Sequence, residues 1–199
     1  MDINKAFSLA ENLLYYFSPV CERILIAGSV RRMKPQVKDI ELVAIPDLTI
    51  AVPKAKLEFG KPLPINHKTM LDYLIYRSIE KEEIRIEKNG ERYKKFTMLH
   101  HDISIDFFLV LPPASWGVQF AIRTGPADFS HWMVTRKRNG GALPNGYRVQ
   151  DGSVWEGERE TKSLEGENLI GFDSEKDFLD FLGLGWVEPR EREAKWGKR

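Results

Sequence analysis

An α+β protein is predicted by three features of the sequence: a helical period at the N-terminus, strand-length apolar segments after it, and turn residues between them. Apolar residues recur at helical spacing through the first segment, at Ile3, Ala6, Phe7, Ala10, Leu13, Leu14 and Phe17. Pro19 ends this helix, and strands are predicted at 23–27 and 39–45. We expect the helix to pack on one face of the sheet that these strands begin.

The central part of the chain is predicted to add one helix and three strands. Alternating residues on both sides of Asn89-Gly90 are a strong hairpin signal. Prolines interrupt residues 46–64, which are predicted to be mostly loop. The elements expected here are a short strand at 50–52, a helix at 67–79, hairpin strands at 84–87 and 93–96, and a strand at 100–110.

The C-terminal part is predicted to contain helices and a second hairpin. Ser115 is a candidate helix cap, and the Gly125-Pro126 pair is predicted to end that helix. The elements expected here are helices at 115–124, 127–136 and 174–182, a hairpin formed by 147–149 and 153–155, and a charged loop at 156–168.

The segment 28–45 carries the strongest chemical signal. Gly28 and Ser29 follow a strand, and such a break exposes backbone N–H groups that can hold phosphate. Asp39 and Glu41 share one face of the next strand because side chains alternate. Two carboxylates aimed together repel unless a cation lies between them, and oxygen ligands suit Mg²⁺. Either motif alone is usually a turn or a solvated face, but together they predict phosphoryl or nucleotidyl transfer.

A third acid is predicted on the strand at 100–110. Asp106 lies on its polar face with Ser104, whereas Ile105 and its apolar neighbours face the other way. A carboxylate on a largely buried strand is costly unless it is paired or bound to a metal. If this strand lies beside 39–45, Asp106 supplies a third ligand, and Asp102, which has the same parity, ranks behind it.

These motifs resemble those of a known family. The residues Gly-Ser-Val-Arg-Arg at 28–32 and Asp-Ile-Glu at 39–41 resemble the G-S-x-R-R…D-x-D signature of polymerase beta-like nucleotidyltransferases. The doubled arginine and the segment 174–192 resemble the family X DNA polymerases, whose C-terminus reads S-E-x-D-[IV]-F-x-x-L-G-L-x-[YW]-x-x-P-x-x-R. In two places the sequence departs from the pattern. Glu41 replaces the usual aspartate, and Ile122-Arg123 replace the aromatic pair that precedes Thr-Gly.

The resemblance implies a minimal polymerase. It implies a nucleotidyltransferase palm at 1–112, with a mixed sheet and helices on one face, and a small αβ thumb-type subdomain at 113–199 that binds nucleotide and DNA. The implied reaction adds nucleotides to a DNA 3′-end with release of pyrophosphate, from a nucleoside triphosphate and a primer or primer-template. The implied ligands of two Mg²⁺ ions, for which Mn²⁺ substitutes, are the catalytic acids Asp39, Glu41 and Asp106. The implied nucleotide-binding residues are Gly28, Ser29, Arg32, Ile122, Arg123, Thr124 and Gly125.

A basic cluster at 136–138 is a candidate DNA-binding surface. It comprises Arg136, Lys137 and Arg138, and Asp128 is the single acid between Arg123 and Arg148. The net charge of the whole chain is only +1, so the local distribution carries this prediction. The alternative is a solvated helix end.

Composition and length favour an intracellular, cytoplasmic protein that is a monomer and has no membrane partner. No apolar segment reaches the roughly 20 residues needed to span a bilayer, and the N-terminus lacks the features of a signal peptide. Cys21 is the single cysteine, which excludes an internal disulfide and a cysteine zinc cluster. From the length we expect neither the N-terminal lyase domain nor the helix-hairpin-helix DNA-binding subdomain of longer family X polymerases.

Two alternative functions remain open at this point. The first is transfer of one nucleotide to a small molecule, protein or RNA, which Glu41 favours and the C-terminal pattern opposes. The second is a nucleic-acid-binding module without catalysis. The presence of all three acids argues against it, because buried carboxylates without a role are destabilising.

Overall fold

A computed structural model describes residues 1–50, 69–157 and 168–193 of the chain. Its larger part is a five-stranded sheet with the strand order β1-β2-β5-β4-β3. The strands are β1 (Cys21–Ile26), β2 (Asp39–Pro46), β3 (Ile84–Asn89), β4 (Tyr93–Met98) and β5 (Ile103–Leu109). β2 and β5 are parallel and every other pair is antiparallel, so the predicted mixed sheet is confirmed.

Two helices, α1 (Ile3–Phe17) and α3 (Met70–Glu80), cover one face of this sheet. The helix between them, α2 (Gly28–Arg31), is a single turn that links β1 to the segment before β2. The side chains of β2 alternate: Ile40 and Leu42 are fully buried beneath α1 and α3, while Asp39 and Glu41 lie on the other face. The sheet therefore presents its acids on the face opposite its two covering helices.

The C-terminal part forms its own small core around a second, three-stranded sheet. Its helices are α4 (Trp116–Thr124), α5 (Ala127–Val134) and α6 (Glu175–Phe181). Its strands, in the order β6-β7-β8, are β6 (Tyr147–Gln150), β7 (Ser153–Glu156) and β8 (Leu169–Ile170). Phe129, Met133 and Phe178 are fully buried between these elements. A fold with a palm-like sheet and a small αβ unit is thus confirmed.

The two parts pack against each other along α4. Trp116 and Phe120 of this helix contact Ala27 and Val43 on the acid-bearing side of the large sheet. This contact places the C-terminal end of α4 beside α2 and the first residues of β2. Residues from both parts of the chain consequently meet at the acid-bearing face.

Several local predictions are corrected by the structure. The helix expected at 127–136 ends at Val134, and Lys137–Asn139 form a separate 3₁₀ turn. The helix expected from residue 67 begins at Met70, where Thr69 caps it. Ser115 precedes α4 but its side chain makes no capping hydrogen bond. Asp102 lies in the turn before β5 with φ of 47°, so it is not part of the strand.

Other predictions fall wholly or partly outside the described residues. These are the short strand at 50–52, of which only Ile50 is described, residues 67 and 68 of the expected helix, and most of the loop at 156–168. Among the described residues, none of the helices is both long and apolar enough to cross a membrane.

Candidate active site

The three acids lie on neighbouring strands and on the same face of the sheet. In the parallel register of β2 and β5, Glu41 is opposite Asp106 and Asp39 is opposite Ser104. Residues two apart on a strand point the same way, so all three carboxylates leave the sheet on one side. The structure therefore places the strand of Asp106 directly beside the strand of Asp39 and Glu41, which the sequence alone could not show.

Burial, together with the neighbouring carboxylates, raises the pKa of Glu41 and of Asp39. Burial raises the pKa of Glu41 to about 7, Asp39 and Asp106 add to the rise, and Arg32 opposes it. Burial, and after it the charge of Asp106, also raises the pKa of Asp39. A cation between these groups would remove the repulsion and favour their ionised forms. The donor set, three carboxylates on one face, therefore fits Mg²⁺.

Asp106 is also bound from the side away from Asp39 and Glu41. Its Oδ1 accepts a hydrogen bond from the Tyr93 hydroxyl on β4, and Lys95 is its direct neighbour in the antiparallel register. In the part of the chain that the structure describes, no three His, Cys, Asp or Glu side chains are arranged to hold a metal ion as they stand. One oxygen of Asp106 therefore already has a hydrogen-bond donor on the β4 side of the site.

Gly28 and Ser29 lie directly against this site. Gly28 has φ of 58°, and a Cβ there would lie 2.6 Å from the carboxyl carbon of Glu41. Glycine is therefore required on both conformational and steric grounds. The Ser29 Oγ is buried without a hydrogen-bond partner, and α2 begins at Gly28, where the first N–H groups of a helix have no intrahelical acceptor. These groups can hold an oxyanion next to the acids.

Arg32 reaches from this turn to the C-terminal part. Its Nη1 donates to the backbone oxygen of Thr124 at 2.5 Å, while its Nε is buried without a partner. Burial lowers the pKa of Arg32, and the charges of Glu41 and Asp39 oppose that change. Arg32 and Thr124, which are far apart in sequence, are thus brought together at the edge of the acid-bearing face.

The four residues at 122–125 have different environments. The Arg123 guanidinium lies 3.8 Å from the centroid of the Phe108 ring, and the charges of Glu41 and Asp106 partly offset the lowering of its pKa by burial. Ile122 packs instead against the C-terminal core, and its backbone oxygen accepts from Ser130 at 2.6 Å. Of the pair that replaces the aromatic residues, only Arg123 faces the acids.

Sequence reasoning missed a buried ion-pair cluster at the same junction. Arg31 donates two hydrogen bonds to Glu175, at 2.9 and 2.7 Å, and one to Thr124 Oγ1 at 2.5 Å. Arg192 donates to the same glutamate at 2.5 Å. Arg31 and Glu175 stood within the quoted motifs, but the motifs did not show that they touch. The contact of Tyr93 with Asp106 was missed as well. The hairpin signal at Asn89-Gly90 placed Tyr93 on a strand, but it did not show that this strand lies beside β5.

The basic cluster lies away from the acids, beside the second sheet. Lys137 and Arg138 are exposed, whereas Arg136 is half-buried and its Nε donates to the backbone oxygen of Tyr147 at 2.8 Å. Arg136 therefore also fastens the end of the α5 segment to β6. The other two side chains project from a 3₁₀ turn on the surface.

The fold is polymerase beta-like, with a thumb-type subdomain beside the sheet that carries the acids. Residues 121–193 match the family model of the DNA polymerase beta thumb. Polymerase beta from Leishmania infantum, solved as a ternary P/T complex, has a similar structure with a TM-score of 0.66 and 18% sequence identity. The match covers 97% of this chain and 76% of the Leishmania chain, and 230 chains of solved structures match in all. No curated protein sequence matches the chain.

These comparisons confirm the resemblance to family X DNA polymerases at the level of fold. The thumb match includes Arg123, Thr124 and Gly125, and it extends through Glu175 to Arg192. The acids at 39, 41 and 106 lie outside it, so their roles remain predictions that rest on the geometry described above.

Proposed function

We propose that this protein is a family X-like nucleotidyltransferase that adds nucleotides to a DNA 3′-end and releases pyrophosphate. The observation that carries the proposal is the placement of Asp106 opposite Glu41 on parallel strands, with Gly28 packed against the Glu41 carboxylate. Three acids next to a turn suited to oxyanions provide what phosphoryl transfer requires, namely ligands for cations and a grip on the leaving phosphates.

Each group has a role that follows from its position. Asp39 and Glu41 would hold both Mg²⁺ ions, and Asp106 would hold the one at the attacking hydroxyl. When bound, such ions neutralise charge on the attacking and leaving oxygens and make a hydroxyl easier to deprotonate. Asp106 is in addition placed to accept the proton of a 3′-hydroxyl.

The phosphates of the nucleotide would lie against α2. The buried Ser29 hydroxyl and the N–H groups at the start of α2 would donate to the β- and γ-phosphates. Arg32 would add charge-assisted hydrogen bonds through the part of its guanidinium that does not contact Thr124. These groups orient the triphosphate so that pyrophosphate leaves away from the attacking oxygen.

Primer extension on labelled DNA tests this proposal. Purified protein is incubated with Mg²⁺ and each nucleotide, on a primer alone and on a primer-template. Template-directed extension by several nucleotides supports the proposal. Addition of a single nucleotide whatever the template, or transfer only to acceptors other than DNA, would instead support the alternative enzyme. An absence of transfer to any acceptor in both Mg²⁺ and Mn²⁺ would contradict both.

A further inference from the structure

Asp106 lies between two sets of groups that draw its carboxylate in opposite directions. β5 is the middle strand of three, with β2 on one side and β4 on the other. On the β2 side, Glu41 is its cross-strand neighbour, and Asp39 lies two residues away. On the β4 side, the Tyr93 hydroxyl donates to Asp106 Oδ1. The short aspartate side chain can turn toward either strand.

Tyr93 is held in place more firmly than Asp106. Its ring stacks on Phe108 with centroids 5.0 Å apart and an angle of 18° between the planes, and the two residues are direct cross-strand partners. The guanidinium of Arg123 also lies over the Phe108 ring, and the Lys88 ammonium lies 5.5 Å from the Tyr93 ring. Stacking on Phe108 therefore fixes the position from which the Tyr93 hydroxyl donates to Asp106.

We propose that Tyr93 is a positioning residue that holds Asp106 on the β4 side of the site until a divalent cation draws it toward Asp39 and Glu41. The inference rests on the proposed function, since it takes the three acids to be metal ligands. Two observations support it: the Tyr93 hydroxyl donates to one oxygen of Asp106 from β4, and Asp106 lies opposite Glu41 on β2, the neighbouring strand on its other side. Metal binding then exchanges a hydrogen bond for coordination.

This arrangement has a measurable cost for metal binding. Part of the binding free energy is used to break the bond between Tyr93 and Asp106, because a hydrogen bond to a charged group is among the stronger ones in a protein. Replacing Tyr93 with phenylalanine removes the donor and keeps the ring on Phe108. Metal affinity should consequently rise, which is the opposite of what loss of a supporting outer-sphere partner produces.

The test is Mn²⁺ binding to the protein without nucleotide or DNA, measured from the EPR signal of the free ion. We expect Tyr93→Phe to bind Mn²⁺ roughly three- to tenfold more tightly than the wild type, which is the size that one such hydrogen bond allows. Tyr15→Phe is the matched control, because Tyr15 is 84% exposed and belongs to α1, which covers the face of the sheet opposite the acids. This variant should bind Mn²⁺ like the wild type. Asp106→Asn should bind more weakly, with or without the Tyr93 change.

The outcomes separate the inference from the proposed function. Equal or weaker Mn²⁺ binding by Tyr93→Phe would overturn the role of Tyr93 while leaving the acids as ligands. Wild-type binding that is unaffected by Asp106→Asn would overturn the metal site and, with it, this inference. If Tyr93→Phe fails to fold, the NMR resonance of the Tyr93 Cζ in the wild type is followed during titration with Mg²⁺. A shift to the value of a tyrosine without a carboxylate partner is expected, and an unchanged resonance at saturation contradicts the proposal.

Discussion

Arg31 and Glu175, 144 positions apart in sequence, form a bidentate ion pair between the palm-like sheet and the thumb-type subdomain. Glu175 is 4% exposed, and the fully buried Arg192 donates to it from the end of the described chain. The two guanidinium groups offset the cost of burying the negative charge of Glu175. The carboxylate in turn supplies the counter-charge for both arginines. The pair holds α6 against α2, beside the acid-bearing face.

Replacing Glu175 with glutamine should be strongly destabilising. It leaves two arginine charges in a buried position without a counter-charge, for which about 3–5 kcal/mol of lost unfolding free energy is typical. Urea denaturation at neutral pH measures this. Asp180→Asn is the matched control, because Asp180 pairs with Lys176 at exposed positions on the same helix, and it should change stability by about 0.5 kcal/mol or less. Similar effects of the two changes would contradict the role assigned to Glu175.

The contribution of Glu175 should also depend on pH. Burial alone would raise the pKa of Glu175, but the hydrogen bonds and charges of Arg31 and Arg192 outweigh it, so the pKa lies below its ordinary value of 4.5. A lowered pKa in the folded state means that the stabilisation is complete above 4.5 and is lost as the pH falls through the folded-state value. The difference between wild type and Glu175→Gln should be constant from pH 6 to 7 and shrink below 4.5. A difference that grows in acid would have the wrong sign.

The acid-bearing face should make the metal-free protein less stable as the pH rises. Glu41 has a pKa of about 7 in the folded protein and 4.5 as its ordinary value, so deprotonation is harder in the folded state. Its protonated form stabilises the fold below 4.5, and up to about 3 kcal/mol is lost between pH 4.5 and 7. Denaturation in a chelator at several pH values should show this fall. It should be smaller in Glu41→Gln, where the raised pKa of Asp39 remains, and unchanged in Glu83→Gln, which alters a residue on the opposite edge of the sheet.

Arg32→Ala should weaken nucleoside triphosphate binding far more than DNA binding. An arginine offers bidentate, charge-assisted hydrogen bonds to phosphate, and Arg32 directly follows α2, the turn that contains Ser29. Fluorescence titrations with a labelled nucleotide and with labelled primer measure the two affinities separately. Arg85→Ala, at an exposed position on β3, is the control. Equal losses for nucleotide and DNA would place Arg32 in the nucleic-acid surface instead.

The salt dependence of DNA binding should separate the members of the basic cluster. Lys137→Ala and Arg138→Ala should each flatten the slope of log affinity against log salt concentration by roughly one unit, as expected when one phosphate contact is lost. Arg136→Ala should chiefly lower stability, because Arg136 donates to the Tyr147 backbone. If both exposed side chains can be removed with no change in slope, the cluster is a solvated turn and not a DNA surface.

Local patterns predicted most of the fold, because burial follows periodicity. The alternation along β2 and β5 was sufficient to place Asp39, Glu41 and Asp106 on polar faces. The parallel pairing of Glu41 with Asp106 was out of reach, since it depends on which strands become neighbours after more than 60 intervening residues. The motif resemblance suggested the adjacency that periodicity alone could not supply.

Two features show where sequence patterns fail. The run of basic residues after Val134 has good helix formers, yet Thr135 and Arg136 are extended, because Lys137 N donates to Leu143 O and holds this segment beside the following loop. The contact between Arg31 and Glu175 likewise depends on tertiary packing. The spacing of residues along the chain predicts neither the extended segment nor this contact, because each depends on a contact with residues outside the local pattern.

The measurement that tests the central claim most directly is Mg²⁺-dependent nucleotide transfer by Asp106→Asn. Asp102→Asn is the matched control, because it makes the same chemical change directly before β5, at an exposed position with a left-handed backbone that asparagine also tolerates. The account predicts that Asp106→Asn folds, melts at least as high as the wild type without metal, and loses transfer by at least about a thousandfold, while Asp102→Asn keeps it. Near-normal transfer by folded Asp106→Asn would contradict the three-acid site.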